Sequence, residues 1–157
     1  MYNPIFNGGN QSGQWRTLTK NEWQYVFDLR ETTSGIRFAK ANVNNVNGVI
    51  LLPDDWSTSY YDLIDTNTNS ASFTSNTLTV SDWMMCEQYG AVFLPATGYR
   101  FGIYVYSVGN NGYYWSSSFF NSSYACGVYF IDSNLNSMDC SNRTYGRGVR
   151  LVTPFEN

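Results

Sequence analysis

The side chains in this sequence that could do chemistry are 3 thiols, 12 carboxylates and 13 phenols, with no imidazole. The lack of histidine removes the commonest general base, the usual zinc ligand and the Ser-His-Asp arrangement together. Catalysis would have to use carboxylates, tyrosine or cysteine, and no poised pair stands out. No catalytic residue is assigned, and an enzyme is not expected. Cys86 follows Trp83 by three residues and has no evident basic neighbour, so it reads as a buried structural thiol. With Cys126 and Cys140 the thiols are odd in number, so at most one disulfide can form. Asp54-Asp55, between Pro53 and Trp56, reads as a turn. A hard cation needs several converging oxygens. No such cluster is visible, so neither a metal nor a cofactor is expected.

The chemistry that remains is recognition. Residues 101–147 hold 12 aromatics and no Lys, Glu or Gln, although ten of those three types occur in the other 110 residues. Tyr, Ser, Asn, Gly and Asp fill the gap. That is the palette of an antibody paratope, where Tyr gives rigid amphipathic area and Ser and Asn give adaptable hydrogen bonds. Some of these aromatics read equally as core. In Gly127-Val128-Tyr129-Phe130-Ile131, strand alternation puts Val128 and Phe130 on one face and Tyr129 and Ile131 on the other. Tyr114-Trp115 is expected to pack. Twelve aromatics exceed what half a small core can bury, and the excess implies an exposed binding surface.

Elements must hold that surface. At 157 residues the chain is one domain's worth. Its net charge of −3 argues against a nucleic-acid partner bound through a basic field. No apolar run is long enough to insert in a membrane, and the opening Met1-Tyr2-Asn3-Pro4 does not read as a signal peptide. Residues 1–16 read as an irregular lead with a short edge strand. Thr19-Lys20-Asn21-Glu22 is a capping box. Trp23, Val26 and Phe27 carry helical spacing behind it, which predicts a first helix over 19–31. In 36–52, Asn47-Gly48 reads as the turn of a hairpin, and Val49–Leu52 as a strand buried on both faces. Residues 57–77 read as a long loop, which must be functional or pinned by side chains. A second helix runs from Val80 to Tyr89 and stops at Gly90, then Ala91–Leu94 reads as a strand. From Gly98 onward short alternating runs and glycines replace helical signals, and Val149–Val152 is a last strand. Two early helices before a strand-rich half make an α+β pattern.

Three strings carry a resemblance: Gly112-Tyr113-Tyr114-Trp115-Ser116-Ser117-Ser118, then Ala125-Cys126-Gly127-Val128-Tyr129-Phe130, then Arg143 to Val152. Together they resemble the C-terminal half of the variable proteins of diversity-generating retroelements. Trp15-Arg16-Thr17-Leu18-Thr19, Ile50-Leu51-Leu52-Pro53-Asp54 and Gly90 to Ala96 are similar to a subgroup of gut Bacteroidetes and their phages. The resemblance implies a C-type lectin-like fold, with two helices packed on a small, mostly antiparallel sheet with long loops. The whole of 1–157 would form it, with 1–97 as scaffold and 98–152 as variable region. The Glu-Pro-Asn and Trp-Asn-Asp strings of calcium-dependent lectins are absent.

In that family an error-prone reverse transcriptase rewrites template adenines. Codons such as AAC can then yield Tyr, Ser, Asp, Gly, Cys, Phe, Ile or Arg, but not Lys, Glu or Gln. The resemblance implies a fixed frame that includes Tyr99, Val105, Tyr114, Trp115, Val128, Phe130 and Leu135. The displayed, ligand-binding positions would be Phe101, Ile103, Tyr104, Tyr106, Ser107, Tyr113, Phe119, Phe120, Cys126, Tyr129, Asp139, Cys140, Asn142, Tyr145 and Arg147. Tyr104 and Tyr106 flank Val105, so alternation turns both away from the face on which Val105 is expected to pack. Cys126 and Cys140 would be chance products of diversification, not designed disulfide partners. The bland reading of Asp139, Asn142 and Thr144 is a solvated loop. The implied partner is a protein or glycan receptor on a cell surface, met outside the cell from a virion tail or a bacterial surface, with a homo-oligomer adding avidity. An undiversified adhesin of the same fold is the alternative.

Overall fold

The computed structural model describes residues 15–153, so most of the irregular lead lies outside the described residues. The elements are β1 (Arg16–Thr17), α1 (Lys20–Gln24) with a π-helical turn at Tyr25–Leu29, β2 (Phe38–Val43), β3 (Val46–Leu51) and β4 (Thr77–Leu78). They continue with α2 (Val80–Gln88), β5 (Val92–Pro95), β6 (Tyr99–Phe101), β7 (Tyr104–Tyr106), β8 (Gly112–Phe119), β9 (Tyr124–Ile131), β10 (Asn134–Asn142) and β11 (Leu151–Val152). The architecture is α+β. Its strands divide among four small sheets, ordered β1-β11, β4-β2-β3-β5, β6-β7 and β10-β9-β8. Every pairing is antiparallel except β2 with β4. The expected single sheet is therefore corrected to several, and each helix has its own: α1 shares a core with β8–β10, α2 with the β2–β5 sheet.

The expected capping box is formed, and α2 has a second one. Thr19 Oγ1 accepts from the Glu22 amide and Glu22 Oε2 accepts from the Thr19 amide; Thr79 and Asp82 do the same for α2. Arg16 grips Glu22 with both terminal nitrogens, at 2.8 and 2.5 Å, and holds its carboxyl down to about 2 from 4.5. A carboxyl with a lowered folded-state pKa contributes stability above its unfolded value and loses it as the pH falls through the folded one. Glu22→Gln is expected to cost about 1 kcal/mol at neutral pH. In thermal melts the gap to the parent should close as the pH drops from 4.5 toward 2.

The first helix is shorter than expected. Its α-helical part ends at Gln24, and the Arg30 amide bonds to the Tyr25 carbonyl, five residues back, at 2.8 Å. The widened turn seats Phe27 edge-on to Phe38 at 5.3 Å, four residues after buried Trp23. The 36–52 hairpin forms, but it turns at Asn44-Asn45 and not at Asn47-Gly48. Both turn residues take left-handed φ, 47° and 66°, as the tightest hairpin turn requires and asparagine tolerates. Gly48 instead lies inside β3, where a Cβ would sit 2.4 Å from the Leu94 carbonyl oxygen and 2.5 Å from the Phe93 ring. Gly48→Ala should therefore cost about 1–3 kcal/mol, read as a lowered urea midpoint.

The β2–β5 sheet is buried on both faces, which explains the near-continuous apolar runs of β2 and β3. One face joins Trp23, Phe27, Phe38, Val49, Phe73, Leu94, Tyr114, Val128 and Phe130. The other packs Ala39, Ile50, Leu52, Trp56, Leu63, Leu78 and Cys86. The long loop before β4 is pinned by two amides. Asn67 bonds the Arg37 amide and the Gly35 carbonyl, and Asn76 bonds Ile64 and the Lys40 carbonyl. Lys40 is the unforeseen core residue. Fully buried in β2, its Nζ donates to the carbonyls of Asn69, Ile131, Asp132 and Asn134 at 2.7–3.2 Å. It fastens the β2–β5 sheet to the β9–β10 turn. Burial pushes it down to about 8, with Asp132 opposing, so it remains an ammonium at neutral pH.

Candidate functional site

One face of the β10-β9-β8 sheet packs on α1 through Tyr114, Val128, Phe130 and Leu135, all buried. Alternation turns Tyr113 of β8 and Tyr129 and Ile131 of β9 to the opposite face. Tyr113 and Tyr129 are direct cross-strand partners, and their rings lie 5.7 Å apart and 17° from parallel. β10 reaches the same face by an irregularity. Leu135 and Ser137 are buried toward the core, and continued alternation would turn Asp139 there as well. An extra residue between Asn136 and Asp139 shifts the register and pairs Asp139 with Gly127. Asp139 and Ser141 thereby face outward beside Tyr129.

The segment 145–148 closes the opposite wall. Gly146 exchanges two backbone bonds with Arg100 of β6, at 2.7 and 2.8 Å. The Gly148 amide donates to the Tyr113 carbonyl, and its carbonyl accepts from the Trp115 amide, each at 2.9 Å. Pinned on both sides, the segment places Tyr145 against Tyr99 and Arg147 over β8. The Arg147 guanidinium lies 4.8 Å above the Tyr113 ring and 4.5 Å from that of Trp115, and pairs with Asp139 at 2.7 Å. Arg147 is only 4% exposed and its partner 21%, so the pair is largely desolvated.

These walls enclose a cleft of about 530 Å³. It is lined by Tyr99, Asn111, Tyr113, Tyr129, Ile131, Asp139, Ser141, Tyr145 and Arg147. The aromatic surface extends beyond it. Tyr106 stacks on Tyr99 at 5.3 Å, Tyr104 sits 6.4 Å from Tyr106, and Phe101 meets Tyr145 at 5.4 Å. Seven rings thus form one connected surface. Ile103, 85% exposed, caps the β6–β7 hairpin that carries four of them, Tyr99, Phe101, Tyr104 and Tyr106.

The sequence-derived positions therefore fall into groups. Tyr113, Tyr129, Asp139, Tyr145 and Arg147 meet in the cleft, and Phe101, Ile103, Tyr104 and Tyr106 form its exposed shoulder. Ser107 takes a left-handed turn, φ 57°, and its carbonyl accepts from Asn110 and Asn111. Phe119 and Phe120 stand apart at the β8–β9 turn with Tyr124 and Lys20. Phe119 pairs with Ala125, four residues (roughly 13 Å of strand) from Tyr129. Asn142 accepts from the Thr144 amide and shapes a turn.

Three expectations are corrected. Val105 is 62% exposed, so the face of the β6–β7 hairpin on which it was expected to pack is open to solvent. Asp139 and Asn142 are strand residues of β10, not loop. Cys126 is buried and not displayed, and it forms a disulfide with Cys140, its direct cross-strand partner. Cys86 is the free thiol, and burial pushes it up to about 11.

Sequence reasoning placed Tyr99 in the frame and missed Asn111, Ile131 and Ser141 as lining. Alternation with Tyr129 was a sufficient signal for Ile131. Ser141 depends on the β10 bulge, which leaves no mark in residue types. Among the described residues no group of three or more Cys, Asp or Glu side chains is placed to hold a metal ion, and no helix is long and apolar enough to cross a membrane. The chain matches no protein-family model, no curated protein and no solved structure.

Proposed function

We propose that this chain is a recognition module of C-type lectin-like fold whose cleft and aromatic shoulder bind a receptor on a cell surface. The observation that carries this reading is the connected seven-ring surface beside a cleft of about 530 Å³. Contiguous exposed apolar area of this kind marks interaction sites, and tyrosines on a fixed backbone bind with little ordering cost. Its job is binding without turnover. The side chains facing the cleft are positioned by backbone bonds and packing, and the one hydroxyl that meets a carboxylate there, Ser141 on Asp139 at 3.2 Å, shares that oxygen with Arg147. The resemblance of the C-terminal strings adds that the cleft-facing positions are rewritten by a retroelement.

Deep sequencing of the gene's 3′ end across a source population tests this. Substitutions should concentrate at Tyr104, Tyr106, Tyr113, Tyr129, Tyr145 and Arg147, and spare Tyr114, Val128 and Phe130. A uniform, low rate across the gene would refute diversification.

One observation favours a second reading, a fixed adhesin of the same fold. Cys126 and Cys140 stand directly opposite each other and are bonded. Either alone would be a stray thiol, so their joint presence fits inheritance better than independent replacement. Under this reading both cysteines are invariant in the same sequencing experiment.

A further inference from the structure

We infer that the cleft takes a neutral saccharide, held by tyrosine faces and hydroxyl hydrogen bonds and without a metal ion. This rests on the proposed recognition role of the surface and specifies its ligand class.

The charges make the first argument. The only charged groups lining the cleft are Arg147 and Asp139, and they neutralise each other at 2.7 Å. An anion would find a guanidinium whose side chain is 4% exposed and whose Nη1 is held by Asp139, with the buried Nε unpaired. A cation would have to break the same pair. Neither charge class gains an unmatched counter-charge, so the electrostatics favour a neutral ligand.

The remaining lining makes the second argument. A purely apolar ligand would bury polar atoms with no replacement for water, at about 1–3 kcal/mol each. The Asn111 amide, the Ser141 hydroxyl and the phenol oxygens all lie along the walls. Both bonds to Asp139 fall on Oδ2, from Arg147 and Ser141, and Oδ1 takes none among the described residues. A suitable ligand must therefore carry hydroxyls as well as apolar faces. The rings supply the matching faces. Tyr99 meets Tyr145 at 71° and Tyr113 at 82°, which makes right-angled corners, while Tyr129 lies nearly parallel to Tyr113 along the floor. A pyranose has one flat C–H face and a rim of hydroxyls, and it fits a corner of that kind. The volume lies within the range of small-ligand sites, about 300–1,000 Å³.

The test is an array of neutral and acidic oligosaccharides probed with the intact protein, with and without EDTA. Calorimetric titration of the best neutral binder follows. Tyr129→Ala should weaken binding about tenfold or more. Tyr129→Phe should weaken it less, because the ring face stays. Phe119→Ala, remote from the cleft, should leave it unchanged. Thermal melts check that each variant is folded, and Tyr145→Ala replaces Tyr129→Ala if the latter is not. Four results would overturn the proposal: no neutral glycan bound, only acidic glycans bound, binding abolished by EDTA, or binding indifferent to both tyrosine variants. Cell-surface binding that is lost in Tyr129→Ala while the neutral array stays blank leaves the recognition reading standing and rejects the saccharide. Loss of neither rejects both.

Discussion

Lys40→Ala is expected to lower the unfolding free energy by about 3–5 kcal/mol, with a fall in the urea midpoint and little change in slope. The side chain acts in two ways. Its stem fills space beside Phe73, with Nζ 5.8 Å from that ring's centre, and its head gathers four carbonyls from two separate stretches of chain. Alanine leaves a cavity and takes the ammonium away from four carbonyls. Lys40→Met should cost distinctly less. It keeps the stem's volume and also removes the penalty of holding an ammonium away from water, which offsets part of the lost hydrogen bonding. The pH response has a definite sign. The folded state holds this proton less tightly than the unfolded one, down to about 8 from 10.5. Between those values the unfolded chain carries more protons, so the Lys40 contribution to stability rises with pH. The parent-minus-Met difference should climb over that interval, and a flat difference would show that Lys40 is not desolvated as described.

Replacing Cys126 and Cys140 with serine is expected to remove about 3 kcal/mol, the chain-entropy value for a loop of this size. The two residues are 14 apart in sequence. In a domain of this length that corresponds to roughly 6–12 °C in melting temperature. Reductant should shift the parent by a similar amount and leave the double-serine variant unmoved. The bond lies between the β9 residue next to Gly127 and the β10 residue between Asp139 and Ser141. Its loss should therefore also loosen the Asp139–Arg147 clasp, and binding at the cleft should weaken.

Much of this was legible because it depends on local chemistry. The capping box at Thr19 needs only a hydroxyl and a carboxyl three residues apart, a spacing that Thr79 and Asp82 share and that went unread. The two-faced reading of Val128–Ile131 needs only alternation, and the aromatic excess after Gly98 needs only counting. The rest is set by contacts between distant segments. Two adjacent dipeptides, Asn44-Asn45 and Asn47-Gly48, could each have turned the β2–β3 hairpin. The register pairs Val43 with Val46 and leaves Gly48 inside β3 against Phe93 and Leu94, a contact invisible until β5 is in place. The bulge that sends Asp139 outward follows from the register with β9. Pairing of Cys126 with Cys140 follows from the same register. Nothing in the residues around Lys40 marks it as buried, because its carbonyls come from the distant β9–β10 turn and from Asn69.

The stitching of residues 145–148 has a consequence for how this surface could change. The four bonds that stitch the segment to β6 and β8 run between main-chain atoms of Gly146 or Gly148 and those of Arg100, Tyr113 or Trp115. Such a seam is indifferent to spelling: the letters at 145 and 147 can be rewritten while the thread stays in place. Position 145 is free in this sense. Position 147 is not, because its cation is buried against Asp139, and a change in one letter strands the other. The two should therefore drift as a couplet, 147 together with 139, while 145 varies alone.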